Sequence, residues 1–316
     1  MIVRWGLAEL PGLLAETGIE CPFVIASPRW RDLDLPAGAG LWTEVPSARA
    51  EVPPGADGIL AVGGGSAIDT GKYASAQSGL PVVHVPTTYS GAEWTTFYGI
   101  RTPDRRIRGG GADAHPVGIL YDVDLTLGLP RAETAGTALN GLAHCAEALY
   151  VRGGSPEGDE QALAGARLIS GALPRVLADG SDRAAREDLL RGAMHGGHAL
   201  GIAGLALAHA MAQALGGTYG IPHGAMNALC LPPALAFNRA IVPAEVERFG
   251  VAIGGDAIEL SRELARLGGF ERLRDFDVPE EDLRRVAEAA AGRAGNQANP
   301  RPATRGEILE LFRSIW

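Results

Sequence analysis

The apolar pattern of this chain changes period near Leu129-Pro130-Arg131, and that change constrains its fold more than any other feature. Before it, PFVIAS (22–27), GILAV (58–62), PVVHV (81–85) and GILYD (118–122) are short runs rich in Val and Ile, bounded by Gly, Pro or Ser as buried strands are. A helical segment over 66–78 sits between two of them, which predicts a doubly wound, mostly parallel sheet. From Glu133 onward the strand signal nearly stops. Segments 133–151, 157–177, 183–195, 198–216, 223–237, 243–252, 256–267, 279–291 and 303–315 read as helices, separated by Gly and Pro. The expectation is an α/β domain over 1–130 followed by an all-α domain over 131–316.

Composition narrows the function. With 37 acidic against 28 basic residues the net charge is −9, the reverse of a phosphate-tracking surface, so small molecules rather than nucleic acid are the expected partners. Cys21, Cys145 and Cys230 are far apart and form no C-x-x-C pair, which points to a reducing cytoplasm. No export signal is read at the N-terminus, where Glu9, Pro11 and Glu16 interrupt any apolar run. The longest apolar stretch, Ala199 to Leu215, contains His209 and Gln213 and reads as the centre of a helical domain, not a membrane span.

Between the strand ending at Val62 and the next helix lies Gly63-Gly64-Gly65-Ser66, followed by Asp69 and Lys72, the only lysine of the chain. Glycines allow a sharp turn and close approach to a ligand, Ser66 can cap the helix with Asp69 completing a capping box, and free helix amides can hold a pyrophosphate. An isolated GGGS serves equally as a tight connection with no ligand. The next strand ends in Pro86-Thr87-Thr88-Tyr89-Ser90-Gly91, at the carboxyl edge where open α/β sheets bind ligands. Two such loops on neighbouring strands favour a nucleotide site, with Gly64, Gly65, Ser66, Asp69, Thr87, Thr88 and Ser90 as its candidates. Lys72 is either a phosphate or ribose contact or a chance survivor in an arginine-using chain.

On the helical side Asn140 and His144 are spaced i, i+4 and share a face, as does Glu147, while His209 lies on the apolar helix and His223 opens the next. Singly, each histidine is an ordinary core residue; together they can converge on a catalytic site. His84, His115, His195 and His198 take the structural reading.

These pieces resemble the family of iron-containing alcohol dehydrogenases and dehydroquinate synthase-like proteins, above all its maleylacetate reductase branch. The segments that carry the resemblance are VGGGSAIDTGK (62–72), VPTTYSGAEWT (85–95), YDVDLTLGLP (121–130), ALNGLAHCAEALY (138–150), ALAHAMAQALGGTYGIPHGAMNALCLPPALAFN (206–238) and NPRPATRGEIL (299–309). The resemblance implies a dinucleotide-binding first domain, a catalytic helical second domain with a cleft between them, hydride transfer with NADH or NADPH, and a homodimer. In metal-dependent members one aspartate and three histidines hold the ion; the matching positions here are Asn140, His144, His209 and His223. A neutral amide replaces a carboxylate poorly as a ligand for a divalent cation, so these four are expected to act as catalytic residues with no metal bound, iron or zinc being the alternative. Gln213 is a second departure, standing where relatives commonly carry another histidine.

Without a Lewis acid the chemistry favours an enone. Hydride addition to an unsaturated keto acid builds charge on a conjugated oxygen, and histidines can donate to that enolate and supply the proton. The expected activity is reduction of maleylacetate to 3-oxoadipate in aromatic-compound breakdown, with Arg105, Arg106 and Arg108 as candidates for binding the dicarboxylate. A metal-dependent alcohol or aldehyde dehydrogenase and a cofactor-binding homologue without turnover are the alternatives. The last is raised by the short, proline-rich segment 46–57, where relatives place a crossover helix. After PFVIAS, Pro28-Arg29-Trp30-Arg31 offers arginines for a 2′-phosphate and no acid for a ribose, which leaves NADH and NADPH both open.

Overall fold

The computed structural model describes residues 1–101, 106–109 and 114–316. Arg105 lies outside them, as do the side chains of Arg106 and Arg108. The chain divides into two compact units, Met1–Thr88 with Ala92–Gly128, and Tyr89–Gly91 with Leu129–Trp316.

The first unit is built on strands β1 (Ile2–Trp5), β2 (Pro22–Ala26), β3 (Gly40–Trp42), β4 (Gly58–Gly63), β5 (Pro81–Pro86), β6 (Tyr98–Arg101), β7 (Arg106–Gly109) and β8 (His115–Tyr121), with helices α1 (Leu10–Glu16) and α2 (Gly65–Ser78). Six strands form one parallel sheet in the order β1-β8-β5-β4-β2-β3, and β6 with β7 form a separate antiparallel hairpin. Side chains alternate across a strand, so β2 and β4 must be apolar throughout if both faces are covered. They are: Val24, Ala26, Leu60 and Val62 pack with Leu10, Leu13 and Leu14 of α1, while Phe23, Ile25, Ile59 and Ala61 pack with Ile68 and Ala74 of α2. On the second face the chain between β3 and β4 has no helix, yet Ala50 is buried there with Val45, Val52 and Ala56 against it. Ser47 N–H donates to Thr70 Oγ1 of α2 at 3.1 Å, which fastens this irregular cover to the helix.

The second unit is helical: α3 (Arg131–Ala148), α4 (Pro156–Ala178), α5 (Arg183–Ala203), α6 (Leu207–Tyr219), α7 (His223–Arg239), α8 (Pro243–Ile253), α9 (Ala257–Leu267), α10 (Leu283–Ala291), α11 (Ala294–Ala298) and α12 (Arg305–Arg313). The break expected between residues 195 and 198 is not formed. The helix read as ending before Gly196-Gly197 runs through them to Ala203, and the chain turns at Gly204, with φ of 87°. Those glycines serve packing instead of termination: a Cβ on Gly197 would lie 2.5 Å from the Gly91 carbonyl oxygen, so α5 can press against the Tyr89–Gly91 segment only without a side chain. The apolar stretch 199–215 is therefore split between α5 and α6, which are bent by 99°. Among the described residues no single helix is long and apolar enough to cross a membrane.

Two glycine substitutions separate these roles. Gly197→Ala should lower the unfolding free energy by roughly 1–3 kcal/mol through overpacking. Gly171→Ala, at an exposed position of α4 with nothing within 4 Å of the new methyl, should raise it by up to about 1 kcal/mol. Denaturant unfolding of both variants measures this, and equal effects would contradict it.

Candidate active site

In the first unit the two loops expected to hold a nucleotide meet. Thr87 N–H donates to the Gly63 carbonyl at 3.0 Å, and a Cβ on Gly64 would lie 2.9 Å from the Thr88 methyl. Gly63 has φ of 146° and leaves no room for a Cβ beside Ser27, so only glycine makes this turn. Gly64, Gly65, Ser66, Thr87 and Thr88 thus cluster at the carboxyl ends of β4 and β5, with Ser66 exposed. The capping box expected from Ser66 and Asp69 is not formed. The N-cap is Gly64 with no side-chain cap, because α2 begins at Gly65 and places Ser66 inside its first turn. Ala67 and Ile68 N–H bond back to the Gly64 carbonyl, and the helix itself offers no acceptor to Gly65 and Ser66 N–H, the arrangement that suits an anion.

Asp69 and Lys72 are engaged with the protein. Lys72 Nζ is 2.9 Å from Asp69 Oδ1 and donates to the carbonyls of Ala92 and Phe97 and to Thr95 Oγ1, while Asp69 Oδ2 accepts from Gly99 N–H. The lysine is buried and ties α2 to the segment after β5. Arg29 donates to the Gly128 carbonyl and stacks over Trp30.

In the second unit α3 presents Asn140, His144 and Glu147 on one face, at i, i+4 and i+7. Glu147 is fully buried at the N-terminus of α6. Its Oε2 accepts from Ala206 N–H at 2.8 Å and faces His209 Nδ1 at 2.7 Å, while Oε1 accepts from His209 N–H at 3.1 Å. Helix N-termini carry unpaired N–H groups and partial positive charge, so this carboxylate is stabilised without a lysine or arginine. A carboxylate only accepts, so His209 Nδ1 bears the proton and Nε2 points away, to within 3.3 Å of Asn140 Oδ1.

Asn140 is oriented by Ser90, whose carbonyl accepts from Nδ2 at 3.1 Å; Ser90 thus belongs to the helical unit, whereas the other proposed nucleotide contacts belong to the first. Asn140 Oδ1 also accepts from Asn227 Nδ2 at 2.6 Å, and that same nitrogen lies 3.0 Å from His223 Nε2. The three expected histidines do converge. His144 stacks on His209 with ring centroids 4.7 Å apart, and His223 lies 5.7 Å from His209. Burial, then the neighbouring His209 and His223, hold His144 well below the usual histidine pKa, so it is neutral at pH 7, and its Nδ1 is buried without a partner.

A divalent cation here would need the Asn140 oxygen and outward nitrogens of the three rings as donors. Asn140 Oδ1 is already taken by Asn227 and approached by His209 Nε2, and His223 Nε2 is turned to the same Asn227 amide. Two of the four donor atoms are directed at each other and a third at the Asn227 amide, and the only oxygen of the set is that of a neutral amide, so this set does not fit a resident divalent cation.

Residues 134–316 match the C-terminal domain of the Fe-containing alcohol dehydrogenase family, and residues 46–122 match iron-containing alcohol dehydrogenase. The chain belongs to the iron-containing alcohol dehydrogenase family. It is 37% identical over 266 residues to a maleylacetate reductase of Burkholderia cepacia, covering 83% of this chain and 74% of that one. It is 32% identical over 329 residues to one of Pseudomonas knackmussii, covering 98% and 93%. The crystal structure of maleylacetate reductase from Rhizobium sp. strain MTP-10005 superposes with a TM-score of 0.90 at 29% identity, covering 100% of this chain and 95% of that one. Like its relatives in this oxidoreductase family, the chain joins a parallel α/β part to a helical part.

Sequence reasoning missed three polar side chains that the fold ties into hydrogen-bond networks. Asn227 follows His223 by i, i+4, the spacing that singled out Asn140 and His144, and would have been found by applying that rule to α7. Arg293 donates from Nη2 to the Gln213 carbonyl at 2.9 Å and from Nη1 to Gln213 Oε1 at 3.4 Å. Glu93, fully buried in the family segment after β5, accepts from Tyr121 OH at 2.7 Å, and Trp94 Nε1 donates to that hydroxyl at 2.8 Å. His84 faces the Glu93 carbonyl through Nδ1, and burial pushes its pKa down to about 3.

Burial raises the Glu93 carboxyl from 4.5 to about 7 against the smaller opposing effect of Tyr121. The folded chain therefore keeps a proton that the unfolded chain releases above pH 4.5, so the contribution is whole below that pH and is lost as pH rises towards 7. Glu93→Gln, which cannot ionise, should gain roughly 3 kcal/mol of stability relative to wild type between pH 4.5 and pH 8. Denaturant unfolding at the two pH values measures it; a pH-independent difference would contradict the assignment.

Proposed function

We propose that this chain is an NAD(P)H-dependent reductase of the maleylacetate reductase type, acting as a cytoplasmic homodimer on an unsaturated keto acid formed in aromatic-compound breakdown. The carrying observation is the Asn140 oxygen, which sits among hydrogen-bond donors where metal-dependent relatives place an anionic ligand. The names of the most similar relatives support the substrate, and the family resemblance supports the dimer and the compartment.

Bound NADH or NADPH supplies the hydride. Gly65 and the exposed Ser66 at the start of α2 and the adjoining Thr87 and Thr88 are the residues that would hold its phosphates. His209 is the proton source: its Nδ1 is fixed by Glu147, so only Nε2 can hand a proton on, and the Glu147 carboxylate balances the charge while both nitrogens are protonated. When hydride enters one alkene carbon of maleylacetate, the electron pair moves to the ketone oxygen as an enolate. Neutral His144 donates to that oxygen, the Nε2 proton of His209 goes to the adjacent carbon, and 3-oxoadipate results, while His223 Nε2 accepts from the Asn227 amide and is held in place by it. Asn140 keeps the rings in register and needs no charge to do so.

Purified protein should oxidise NADH or NADPH when maleylacetate is added, at a rate unchanged by EDTA or by added Fe²⁺ or Zn²⁺. Absence of turnover would overturn the substrate assignment. Activity that depends on near-stoichiometric metal would favour a metal-dependent dehydrogenase, and tight NADH binding without turnover on a carbonyl panel would favour a non-catalytic homologue.

A further inference from the structure

A six-carbon oxo diacid brings two negative charges to a site in which the Glu147 carboxylate already balances the charge of protonated His209, so a further cation must meet them. Two arginines of the helical unit are committed to other work. Arg131 donates to the carbonyls of Leu177 and Leu267, at or near the ends of α4 and α9, and buried Arg186 holds the Gly180 carbonyl and the Tyr89 hydroxyl. Arg293 differs in placement. It is the N-cap residue of α11, a helix seated against α6 so closely that a Cβ on Gly295 would lie 2.6 Å from the Ala206 carbonyl oxygen. Ala206 is the residue whose N–H Glu147 accepts, so α11 runs beside the end of α6 that carries His209.

The burial of α6 supplies the second observation. From Leu207 to Gly217 every residue is buried except Gln213, which is half-exposed. Gln213 follows His209 by four residues, one helical turn or about 6 Å along the same face. The single open position beside the buried proton donor is therefore the residue that Arg293 grips, through Nη1 to its side-chain oxygen and Nη2 to its main-chain oxygen. Both are neutral acceptors, weaker than a carboxylate, for a guanidinium whose planar fork matches a carboxylate's two oxygens.

We propose that Arg293, with the Gln213 amide beside it, binds one carboxylate of the substrate and so sets the specificity of the reductase for acidic enones. An arriving carboxylate displaces the 3.4 Å contact from Nη1 to Gln213 Oε1, and the Gln213 amide nitrogen is then able to donate to it as well. The carboxyl groups of a six-carbon oxo diacid lie within one helical turn of its alkene, the separation between Gln213 and His209. This assignment rests on the reductase reading and goes beyond it by naming the group that distinguishes an acid from a neutral ketone.

Two measurements test it. In steady-state kinetics on maleylacetate and its dimethyl ester, Arg293→Met should lower the ratio of kcat/KM for acid over ester at least about tenfold, the effect of losing one charged hydrogen bond, and Arg293→Lys should restore part of it. An equal loss on both substrates, in both variants, would mean that Arg293 only supports the fold and would overturn the proposal. Calorimetric titration with adipate, a saturated diacid that cannot react, separates this from the reductase reading. Should wild type fail to reduce maleylacetate, that reading falls, and adipate still decides Arg293. Binding to wild type that weakens at least tenfold in Arg293→Met supports the carboxylate site; undetectable binding to wild type, or equal binding to both, overturns it.

Discussion

Among the described residues the carboxylate of Glu147 is buried with no lysine or arginine hydrogen-bonded to it, which is tolerable only because an entire helix terminus is turned towards it. It accepts from Ala206 and His209 N–H, the donors that α6 cannot satisfy internally, and from His209 Nδ1. One interaction therefore does three things. It starts α6 at a defined place, it couples that helix to α3, and it sets which nitrogen of His209 faces the substrate. The positions of Asn140 and His223 follow, because Asn227 bridges them and Asn140 is fixed in turn by the Ser90 carbonyl.

In the reading proposed above, hydrogen bonds do the organising that a metal does in iron-containing members of the family. A cation organises its ligands by attraction; here Glu147 and Asn227 organise the same side chains by donor and acceptor matching, at lower charge. The substrate must then carry its own electron sink, which an enone does and a simple alcohol does not. Close packing supports the geometry: the Tyr89–Gly91 segment that orients Asn140 is held by Arg186 on the Tyr89 hydroxyl and by Gly91 against Gly197.

Much of the fold was legible because its signals are strong. Runs such as PFVIAS and GILAV are apolar on both faces and pack on both, and the helices after residue 130 announce themselves by period. β1 was not read: IVRW is a half-buried edge strand without flanking turn signals, and only its pairing with β8 makes it a strand. The hairpin of β6 and β7 is arginine-rich, and its alternation, Tyr98 and Ile100 in one strand and Ile107 in the other, is too short to stand out. Gly196-Gly197 was misread as a break because sequence cannot tell a glycine that ends a helix from one that admits a neighbour. The short segment 46–57 does omit a helix, but Ala50 and Val52 cover the sheet in its place. In the site, the i, i+4 rule found Asn140 and His144, whereas Arg293 is joined to Gln213 only by the tertiary fold, and nothing in its local sequence marks it.

The hydrogen-bonded site and its proton transfer depend on the orientation of one ring, His209. Nitrogen-15 NMR of histidine-labelled protein, with His209 assigned by substitution, reports directly which of its nitrogens is protonated. The structure requires a proton on Nδ1, protected from exchange by its hydrogen bond to Glu147. A bare Nδ1 with the proton on Nε2 would contradict the hydrogen-bonded site and the proton transfer built on it.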